Sequence, residues 1–336
     1  MTSPLDDFRR LATQPLPDHT AAIAATEARE STLIKPPGAL GRLEGIARWL
    51  TAVSGKAPPV VTSPRVVIFA ASHGIAAAGV SAYPPSVNTQ MFAAFQNGTA
   101  AINQICTSIG IGLSAFDLAL DVPSGNIAVE DGFEDEKSLA ATLAFGLEAI
   151  AGGVDCLGLG EMGIGNTAVA AALFAALYGG GGEAWCGAGT GVEGDALRHK
   201  IAMVDQALAR VGEEADPLII LKRLGGRDVA AMVGAILAAR VEGVPVVVDG
   251  FVATAAAALV SAMAPGAIDH CLFAHKSAEA GHGPALEKLG AVQLLDLQMR
   301  LGEGTGSALA IAIIKAAAEC HSGMATFAEA GVDGKA

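Results

Sequence analysis

The chain has few of the features that carry metal, disulfide or nucleic-acid chemistry. Charged residues make up only 16% of its 336 residues, the formal net charge is −13, and no run of Lys or Arg could neutralise nucleic-acid phosphates. Its five cysteines are scattered and form no CxxC pair, so we expect free thiols in a reducing compartment. Its seven histidines show no HExxH or other ligand spacing. These absences predict no nucleic-acid partner, no bound metal and no cofactor.

Long apolar runs are also scarce, although the mean hydropathy is +0.47. The longest uncharged run, residues 251–268, is near the lower length limit of a membrane span and contains Pro265, so a helix buried against a sheet explains it better. The first twelve residues include charged side chains and no apolar run, which argues against a signal peptide. We therefore expect no membrane segment and a cytoplasmic location.

Glycine is abundant, with 42 residues, and short apolar runs recur in a regular pattern. Runs at residues 66–70, 154–159, 244–248 and 271–274 are each followed by a glycine or polar break, and alanine-rich stretches separate them. Continuous apolar strands between helices predict a parallel sheet covered on both faces, a three-layer, Rossmann-like α/β fold. Ligands of such sheets bind beyond the carboxyl ends of the strands.

Residues 300–307, Arg-Leu-Gly-Glu-Gly-Thr-Gly-Ser, place a single carboxylate, Glu303, between glycines. Three glycines in five positions are costly in a helix, about 1 kcal/mol each relative to alanine. They indicate a close approach to the backbone beside a side chain that can accept a proton. A tight turn with an exposed glutamate is the alternative interpretation.

Residues 158–163 match the GxGxxG pattern of dinucleotide-binding loops, which makes an NAD-dependent oxidoreductase one hypothesis. Two features disfavour it. Glu161 would place a negative charge inside the phosphate loop, and the next candidate strand, near residues 184–186, runs into a glycine without an acidic ribose ligand. We favour residues 163–167 as a helix N-terminus that binds one phosphate through backbone N–H and hydroxyl donors. Plain helix capping by Asn166 or Thr167 is the alternative.

Two further segments suggest contacts with a ligand. A glycine cluster at residues 187–191, together with Lys200, predicts a second phosphate or carboxylate contact, unless Lys200 is an ordinary solvated helix residue. One of the two tyrosines, Tyr83, precedes two prolines and is followed by Gln90 and Met91, which suits a flat apolar ligand. A packed loop and helix start explain this segment at least as well.

Taken together, these segments resemble the nicotinate-nucleotide–dimethylbenzimidazole phosphoribosyltransferases, a family of cobalamin lower-ligand assembly. The matching segments occur in the family's order over nearly the whole chain, at residues 37–44, 73–74, 160–167, 225–228, 245–251, 277–279 and 300–306. The last segment is highly specific, and the others are strong in combination.

The resemblance implies that nicotinate mononucleotide and 5,6-dimethylbenzimidazole react to give α-ribazole 5′-phosphate and nicotinate. It also implies a larger sheet domain, residues 57–307, a small helical domain from both chain ends, residues 1–56 and 308–336, and a homodimer. Glu303 would be the catalytic base. The residues that would contact the substrates are Tyr83, Met91 and Leu301 near the benzimidazole with Gln90 beside them, Glu161, Gly163, Asn166, Thr167, Gly189, Thr190 and Lys200 around the ribose phosphate, and Ser277 near the nicotinate. Gly302 would be a further substrate-binding residue.

The chain departs from the family pattern at Ser72, where the family often has Asp before His-Gly, and the loop after Tyr83 is variable. The variability of this loop leaves the range of accepted bases open. His73 and His275 follow apolar runs without a nearby partner in sequence, so a structural role is the favoured interpretation of both.

One carboxylate would suffice for the implied reaction. A pyridinium leaves as a neutral pyridine and needs no acid, while the attacking benzimidazole must lose its ring N–H proton. An apolar, glycine-lined setting should raise the pKa of Glu303 towards the working pH. A protein that binds an aromatic base without reacting is a further, non-enzymatic hypothesis.

Overall fold

The computed structural model describes residues 3–334 of the chain. Its five strands are β1 Pro64–Ala70, β2 Gly112–Asp117, β3 Cys156–Met162, β4 Val246–Val248 and β5 Cys271–Phe273. They form one sheet in the order β2-β1-β3-β4-β5, and every neighbouring pair is parallel.

Helices cover both faces of this sheet. Within the described residues they are α1 Asp6–Thr13, α2 Thr20–Glu30, α3 Arg42–Ser54, α4 Val87–Gln96, α5 Ala101–Ile109, α6 Glu136–Leu147, α7 Asn166–Tyr178, α8 Gly181–Trp185, α9 Gly194–Val211, α10 Pro217–Leu224, α11 Arg227–Glu242, α12 Phe251–Met263, α13 His282–Lys288, α14 Thr305–Gly323 and α15 Phe327–Ala330. Short 3-10 helices occupy Gly74–Ala78 and Glu148–Ile150. The three-layer α/β fold predicted from the apolar runs is confirmed.

Alternate residues of a strand point to opposite sides of the sheet, which divides the core in two. Val67 and Phe69 of β1 pack in the larger core with α1, α6, α7, α11 and α12. Val66 and Ile68 pack in the second core with α3, α5 and α14. Most of the apolar run at residues 251–268 forms α12, which ends at Met263 and is buried in the larger core as predicted. No helix among the described residues is long and apolar enough to cross a membrane.

Both chain ends contribute helices to the second face of the sheet. Thr26 of α2 and Thr51 of α3 share a hydrogen bond of 2.9 Å, and Arg29 donates to three carbonyl oxygens at the end of α14. The first helix differs, because Phe8 of α1 packs in the larger core, where this helix contacts α11 and α12. The boundaries of a small helical domain, at residues 1–56 and 308–336, stay a prediction.

Two local elements differ from the sequence expectations. Strand β2 is absent from the predicted runs because its residues, among them Ser114, are half-buried or exposed and form no continuous apolar run. Residues 184–186 are not a strand, since they form the end of α8 and the residue after it. Trp185 stacks on Phe174 of α7 at 5.2 Å and donates its Nε1–H to the Gly179 carbonyl oxygen at 2.7 Å. These contacts hold the segment as a short helix against α7.

Candidate active site

A cavity of about 630 Å³ opens beyond the carboxyl ends of the strands. Segments that follow β3, β4 and β5 line it, together with the start of α4 and the loop before α14. The sequence-predicted residues in its lining are Tyr83, Met91, Glu161, Gly163, Asn166, Thr167, Gly189, Thr190, Ser277, Leu301, Gly302 and Glu303. Gln90 and Lys200 lie outside the lining; Gln90 is exposed on α4, next to Met91.

Glu303 occupies the cavity wall in an unusual backbone conformation. Its φ of 61° lies in the left-handed region, between Gly302 at 81° and Gly304 at 78°. The residue is only 4% exposed, and no group in residues 3–334 hydrogen bonds its Oε2. Burial raises the pKa of Glu303 to about 7. A buried, unpaired carboxylate with this pKa suits a general base and excludes the exposed turn that was the alternative interpretation.

The glycines around Glu303 are required by close backbone contacts. A Cβ on Gly302 would overlap Oε1 of Glu161, and a Cβ on Gly160 of β3 would lie 2.8 Å from the carbonyl carbon of Glu303. The Glu303 N–H donates to the Glu161 carbonyl oxygen at 3.3 Å. The close approach predicted from the glycines is therefore confirmed, and the approaching group is the end of β3.

Glu161 belongs to a buried polar network at the bottom of the cavity. The Asn166 side-chain amide donates to Oε2 of Glu161 and, at 3.1 Å, to Oδ2 of Asp228. His73 Nε2 lies 3.2 Å from the same oxygen of Asp228. Burial and the nearby Asp228 carboxylate raise the pKa of Glu161 to about 8. Burial alone would raise the pKa of Asp228, but His73 and the Asn166 hydrogen bond lower it below its ordinary value.

This network separates the roles of two neighbouring carboxylates. Asp228 is stabilised as the charged partner, whereas Glu161 retains a proton up to higher pH. His73 is 3% exposed and lies outside the cavity lining. This position agrees with the structural role that the sequence favours for it. Within residues 3–334, no group of three or more His, Cys, Asp or Glu side chains is arranged to hold a metal ion.

The N-terminus of α7 opens into the cavity at residues 163–167, as the sequence predicts. Gly165, with φ 96°, is the N-cap, and no side chain caps the helix. The Asn166 amide is engaged with the carboxylates described above, and the Thr167 hydroxyl accepts a hydrogen bond from Lys200 Nζ at 3.0 Å. The alternative hypothesis, that Asn166 or Thr167 merely caps the helix, is therefore wrong. The Asn166 and Ala168 N–H groups already donate to the carbonyl oxygens of Gly163 and Gly165, each at 3.0 Å. The positive end of the helix dipole nevertheless suits one phosphate.

Lys200 lies behind this helix end. It is fully buried in α9, and its Nζ donates to Thr167 Oγ1 and, at 2.9 Å, to the Gly187 carbonyl oxygen. Burial lowers the pKa of Lys200, although the Glu279 carboxylate at 3.9 Å acts in the opposite sense. Its interpretation as a solvated helix residue is wrong. Lys200 reaches the cavity through Thr167, which lines it.

Three loops meet at the mouth of the cavity. The hydroxyls of Ser81 and Thr190 are 2.8 Å apart, and Arg300 Nη1 donates to the Gly189 carbonyl oxygen at 2.9 Å. Tyr83 and Leu301 line the cavity and are 54% and 55% exposed. An apolar rim that solvent can reach fits the entry of a flat aromatic ligand.

Ser72 connects β1 to the same helix end. Its hydroxyl donates to the Leu120 carbonyl oxygen at 2.8 Å and accepts from the Asn88 side-chain amide at 3.0 Å. Oδ1 of Asn88 accepts the Ile164 N–H at 2.8 Å. The serine therefore helps to hold the loop before α7.

Sequence reasoning gave no ligand role to several residues of this region. His275 lines the cavity with 1% exposure, and burial lowers its pKa, so it is neutral near pH 7. Arg300 and Glu279 also line the cavity, and Glu279 accepts the Gly189 N–H at 2.9 Å. Asp249 lies directly after β4, at a strand end like Glu161. That strand-end position is the sequence signal that could have found it.

The GxGxxG match has a packing origin. Gly158 and Gly160 lie inside β3 and not in a loop. A Cβ on Gly158 would lie 2.9 Å from Val66 Cγ2 and 3.1 Å from Ser307 Cβ, so glycine allows α14 to pack on the strand. The interpretation of this segment as a dinucleotide loop is wrong.

The comparisons with known proteins agree with this geometry. A family model described as Phosphoribosyltransferase matches residues 15–332. The nicotinate-nucleotide–dimethylbenzimidazole phosphoribosyltransferases of Rhizobium etli (strain CIAT 652) and Rhizobium meliloti (strain 1021) are each 58% identical over 334 residues, which is 99% of this chain and 98% of each relative.

Solved structures show the same likeness. The crystal structure of CobT from Thermus thermophilus has a TM-score of 0.88 and 40% identity, and the match covers 94% of this chain and 100% of that one. The crystal structure of a nicotinate-nucleotide–dimethylbenzimidazole phosphoribosyltransferase from the same organism has a TM-score of 0.86, 39% identity, and coverage of 94% and 99%. Fold, cavity and similarity over almost the full length agree, and this chain belongs to the nicotinate-nucleotide–dimethylbenzimidazole phosphoribosyltransferase family of enzymes.

Proposed function

We propose that this enzyme transfers the 5-phosphoribosyl group of nicotinate mononucleotide to 5,6-dimethylbenzimidazole, in the assembly of the cobalamin lower ligand. The products are α-ribazole 5′-phosphate and nicotinate. The observation that carries the proposal is the placement of Glu303, a buried carboxylate without a hydrogen-bond partner on Oε2 among the described residues, in a cavity that the N-terminus of α7 also enters.

The reaction requires one bond to form and one to break at the anomeric carbon. The lone pair of a benzimidazole ring nitrogen attacks C1′, and the bond from C1′ to the pyridinium nitrogen breaks. Its electron pair neutralises the pyridinium, so nicotinate leaves without an acid. The second ring nitrogen of the benzimidazole loses its proton to Glu303, which must be ionised to accept it. Attack from the face opposite the leaving group inverts C1′ from β to α.

The pKa of Glu303 supports this role. A carboxylate with a pKa of about 7 is partly ionised at neutral pH and is a much better proton acceptor than a solvated glutamate. General-base assistance of this kind contributes roughly 10²–10⁴-fold in rate. Orientation of the two substrates in one cavity can contribute about 7–11 kcal/mol more.

We propose that the two substrates contact opposite ends of the cavity. The benzimidazole would lie at the apolar rim, near Tyr83, Met91 and Leu301, with Gln90 and Gly302 beside it. The ribose phosphate would lie at the start of α7, contacted by Glu161, Gly163, Asn166, Thr167, Gly189 and Thr190. Lys200 would support the phosphate site from behind Thr167. Ser277 would lie near the nicotinate.

We also expect a cytoplasmic location for this enzyme. We expect a homodimer because the family resemblance of the sequence implies one. Sedimentation equilibrium at micromolar concentration tests the assembly, and a monomer mass at all concentrations would contradict it.

A direct assay tests the proposed reaction. The full-length protein is incubated with nicotinate mononucleotide and 5,6-dimethylbenzimidazole, and the products are separated by chromatography. We expect α-ribazole 5′-phosphate and nicotinate in equal amounts. Tight binding of 5,6-dimethylbenzimidazole without product over long incubation would contradict the proposal and favour the non-enzymatic hypothesis. Titration of the protein with NAD should give no calorimetric signal of binding, because residues 158–163 do not form a dinucleotide loop.

A further inference from the structure

Helix α14 begins without a cap of its own. Its N-cap is Gly304, which has no side chain, so the first N–H groups of the helix need an acceptor from elsewhere. Asp249, which directly follows β4 and is 2% exposed, supplies that acceptor. Its Oδ2 accepts the Gly304 N–H at 3.2 Å, and its Oδ1 accepts the Ser307 N–H at 2.9 Å. The Gly306 N–H is a third donor to this carboxylate.

These hydrogen bonds hold the backbone on the helix side of Glu303. The Gly304 N–H belongs to the peptide group that joins Glu303 to Gly304, so Asp249 fixes the orientation of that peptide. On the other side, the Glu303 N–H donates to the Glu161 carbonyl oxygen at 3.3 Å. The two contacts together restrain both peptide groups of Glu303, a non-glycine residue with φ 61°. An L-residue leaves this conformation readily unless neighbouring contacts hold it.

The space around the Asp249 carboxylate is closely packed. A Cβ on Gly306 would lie 2.7 Å from Oδ1 of Asp249 and would overlap Nδ1 of His275. His275 Nδ1 lies 3.7 Å from the same oxygen. The side chain therefore has little freedom to turn away from the helix end, and the N-cap residue itself, Gly304, has no side chain that could replace it.

We propose that Asp249 is a positioning residue that orients Glu303 toward the substrates by capping α14 from the end of β4. The inference rests on the proposed function of Glu303 as the general base. Asp249 lies outside the cavity lining, so it acts through the backbone of the loop and not by contact with substrate.

The variant Asp249→Asn tests the proposal with little change in shape. Asparagine keeps one acceptor oxygen but presents an NH₂ group in place of the other, so at least one of the three backbone donors, the N–H groups of Gly304, Gly306 and Ser307, loses its acceptor. Displacement of Glu303 by about 1 Å costs roughly 100-fold in rate. We expect kcat to fall at least tenfold, with both KM values within threefold of wild type. Because unfolded molecules would lower the apparent kcat without changing KM, kcat is expressed per folded enzyme, with the folded fraction measured by circular dichroism on the same samples.

Asp216→Asn is the matched control. Asp216 also caps a helix from an N-terminal position, accepting the Leu218 N–H of α10 at 2.9 Å, and it does not line the cavity. We expect this variant to lose thermal stability and keep kcat within twofold. An Asp249→Asn variant with wild-type kcat, or an equal loss of kcat in Asp216→Asn, would overturn the proposal.

Hydrogen exchange of the wild-type protein gives a second measurement that does not depend on the variant folding. The amides of Gly304, Gly306 and Ser307 should exchange at least 100-fold more slowly than free amides; free exchange would overturn the proposal. If the wild type formed no product in the assay, the proposed function would be refuted, but the measured protection of these amides would be unaffected. The two failures can therefore be distinguished.

Discussion

Gly160 of β3 lies directly against the backbone that carries Glu303, and the variant Gly160→Ala tests how precisely that loop must be placed. The added Cβ would lie 2.8 Å from the carbonyl carbon of Glu303 and from the Gly304 nitrogen, whereas ordinary contact begins at 3.4 Å. Both neighbours are backbone atoms, so neither can rotate away. The loop must retreat by about 0.6 Å, the difference between these distances.

The expected loss of rate follows from this displacement. A misplacement of about 1 Å costs roughly 100-fold, so a retreat of 0.6 Å corresponds to a fall in kcat of roughly tenfold. The crowding should also destabilise the fold by about 1–3 kcal/mol. The assay is kcat at saturating nicotinate mononucleotide and 5,6-dimethylbenzimidazole, with the thermal midpoint measured on the same samples.

Gly158→Ala is the matched control, two residues earlier on the same face of β3. Its Cβ would meet side-chain atoms, 2.9 Å from Val66 Cγ2 and 3.1 Å from both Ile311 Cδ1 and Ser307 Cβ, so the crowding falls on these side chains and on the first turn of α14 and not on the backbone of Glu303. We expect both variants to lose stability and only Gly160→Ala to lose kcat. A Gly160→Ala enzyme with a lowered thermal midpoint and wild-type kcat would refute the idea that the position of this loop limits the rate.

Three further outcomes follow from the charges of the site. Because Glu303 must be ionised and its pKa in the free enzyme is about 7, kcat/KM should rise as pH increases through 7. Glu303→Gln should remove this dependence and lower kcat/KM by roughly 10²–10⁴-fold, and a wild-type profile of kcat/KM that is flat from pH 5 to 9 would contradict this. The pKa of Glu161 is about 8 in the folded protein against an ordinary value of 4.5, so the folded state binds one more proton than the unfolded state between these values, and the wild-type free energy of unfolding falls as pH rises. Glu161→Gln lacks this loss, so the free energy of unfolding in urea, variant minus wild type, should be larger at about pH 9 than at about pH 5. The same difference at both pH values would contradict this. Lys200→Met removes the charged donor to Thr167 and should raise the KM for nicotinate mononucleotide roughly 10- to 100-fold, while a KM change confined to the benzimidazole would point to a different subsite.

The parts of the fold that were predictable are those determined by local pattern. Continuous apolar runs identified β1, β3 and β4, because strands buried on both faces have no reason to alternate with polar residues, and a short apolar run also identified the edge strand β5. The edge strand β2 has half-buried residues and carries no such signal. Residues 184–186 contain an apolar pair typical of a strand, but packing of Trp185 on Phe174 makes them helical.

The same distinction applies to the site. Glu303 was identifiable because its glycine neighbours are adjacent in sequence. The strand-end position of Asp249 marks it as a candidate in the sequence, but its role depends on contact with residues 304–307, more than fifty positions away, and that contact is visible only in the structure. Lys200 has the sequence context of a surface helix, and only its packing against Thr167 and Gly187 shows that it is buried.

The most direct test of the proposed mechanism is a crystal structure of the protein with 5,6-dimethylbenzimidazole bound. We expect a ring nitrogen at a hydrogen-bonding distance of about 2.6–3.2 Å from a carboxylate oxygen of Glu303, with the other ring nitrogen facing the phosphate end of the cavity. A bound base whose nitrogens lie many ångströms from Glu303, with that side chain turned to solvent, would contradict the mechanism.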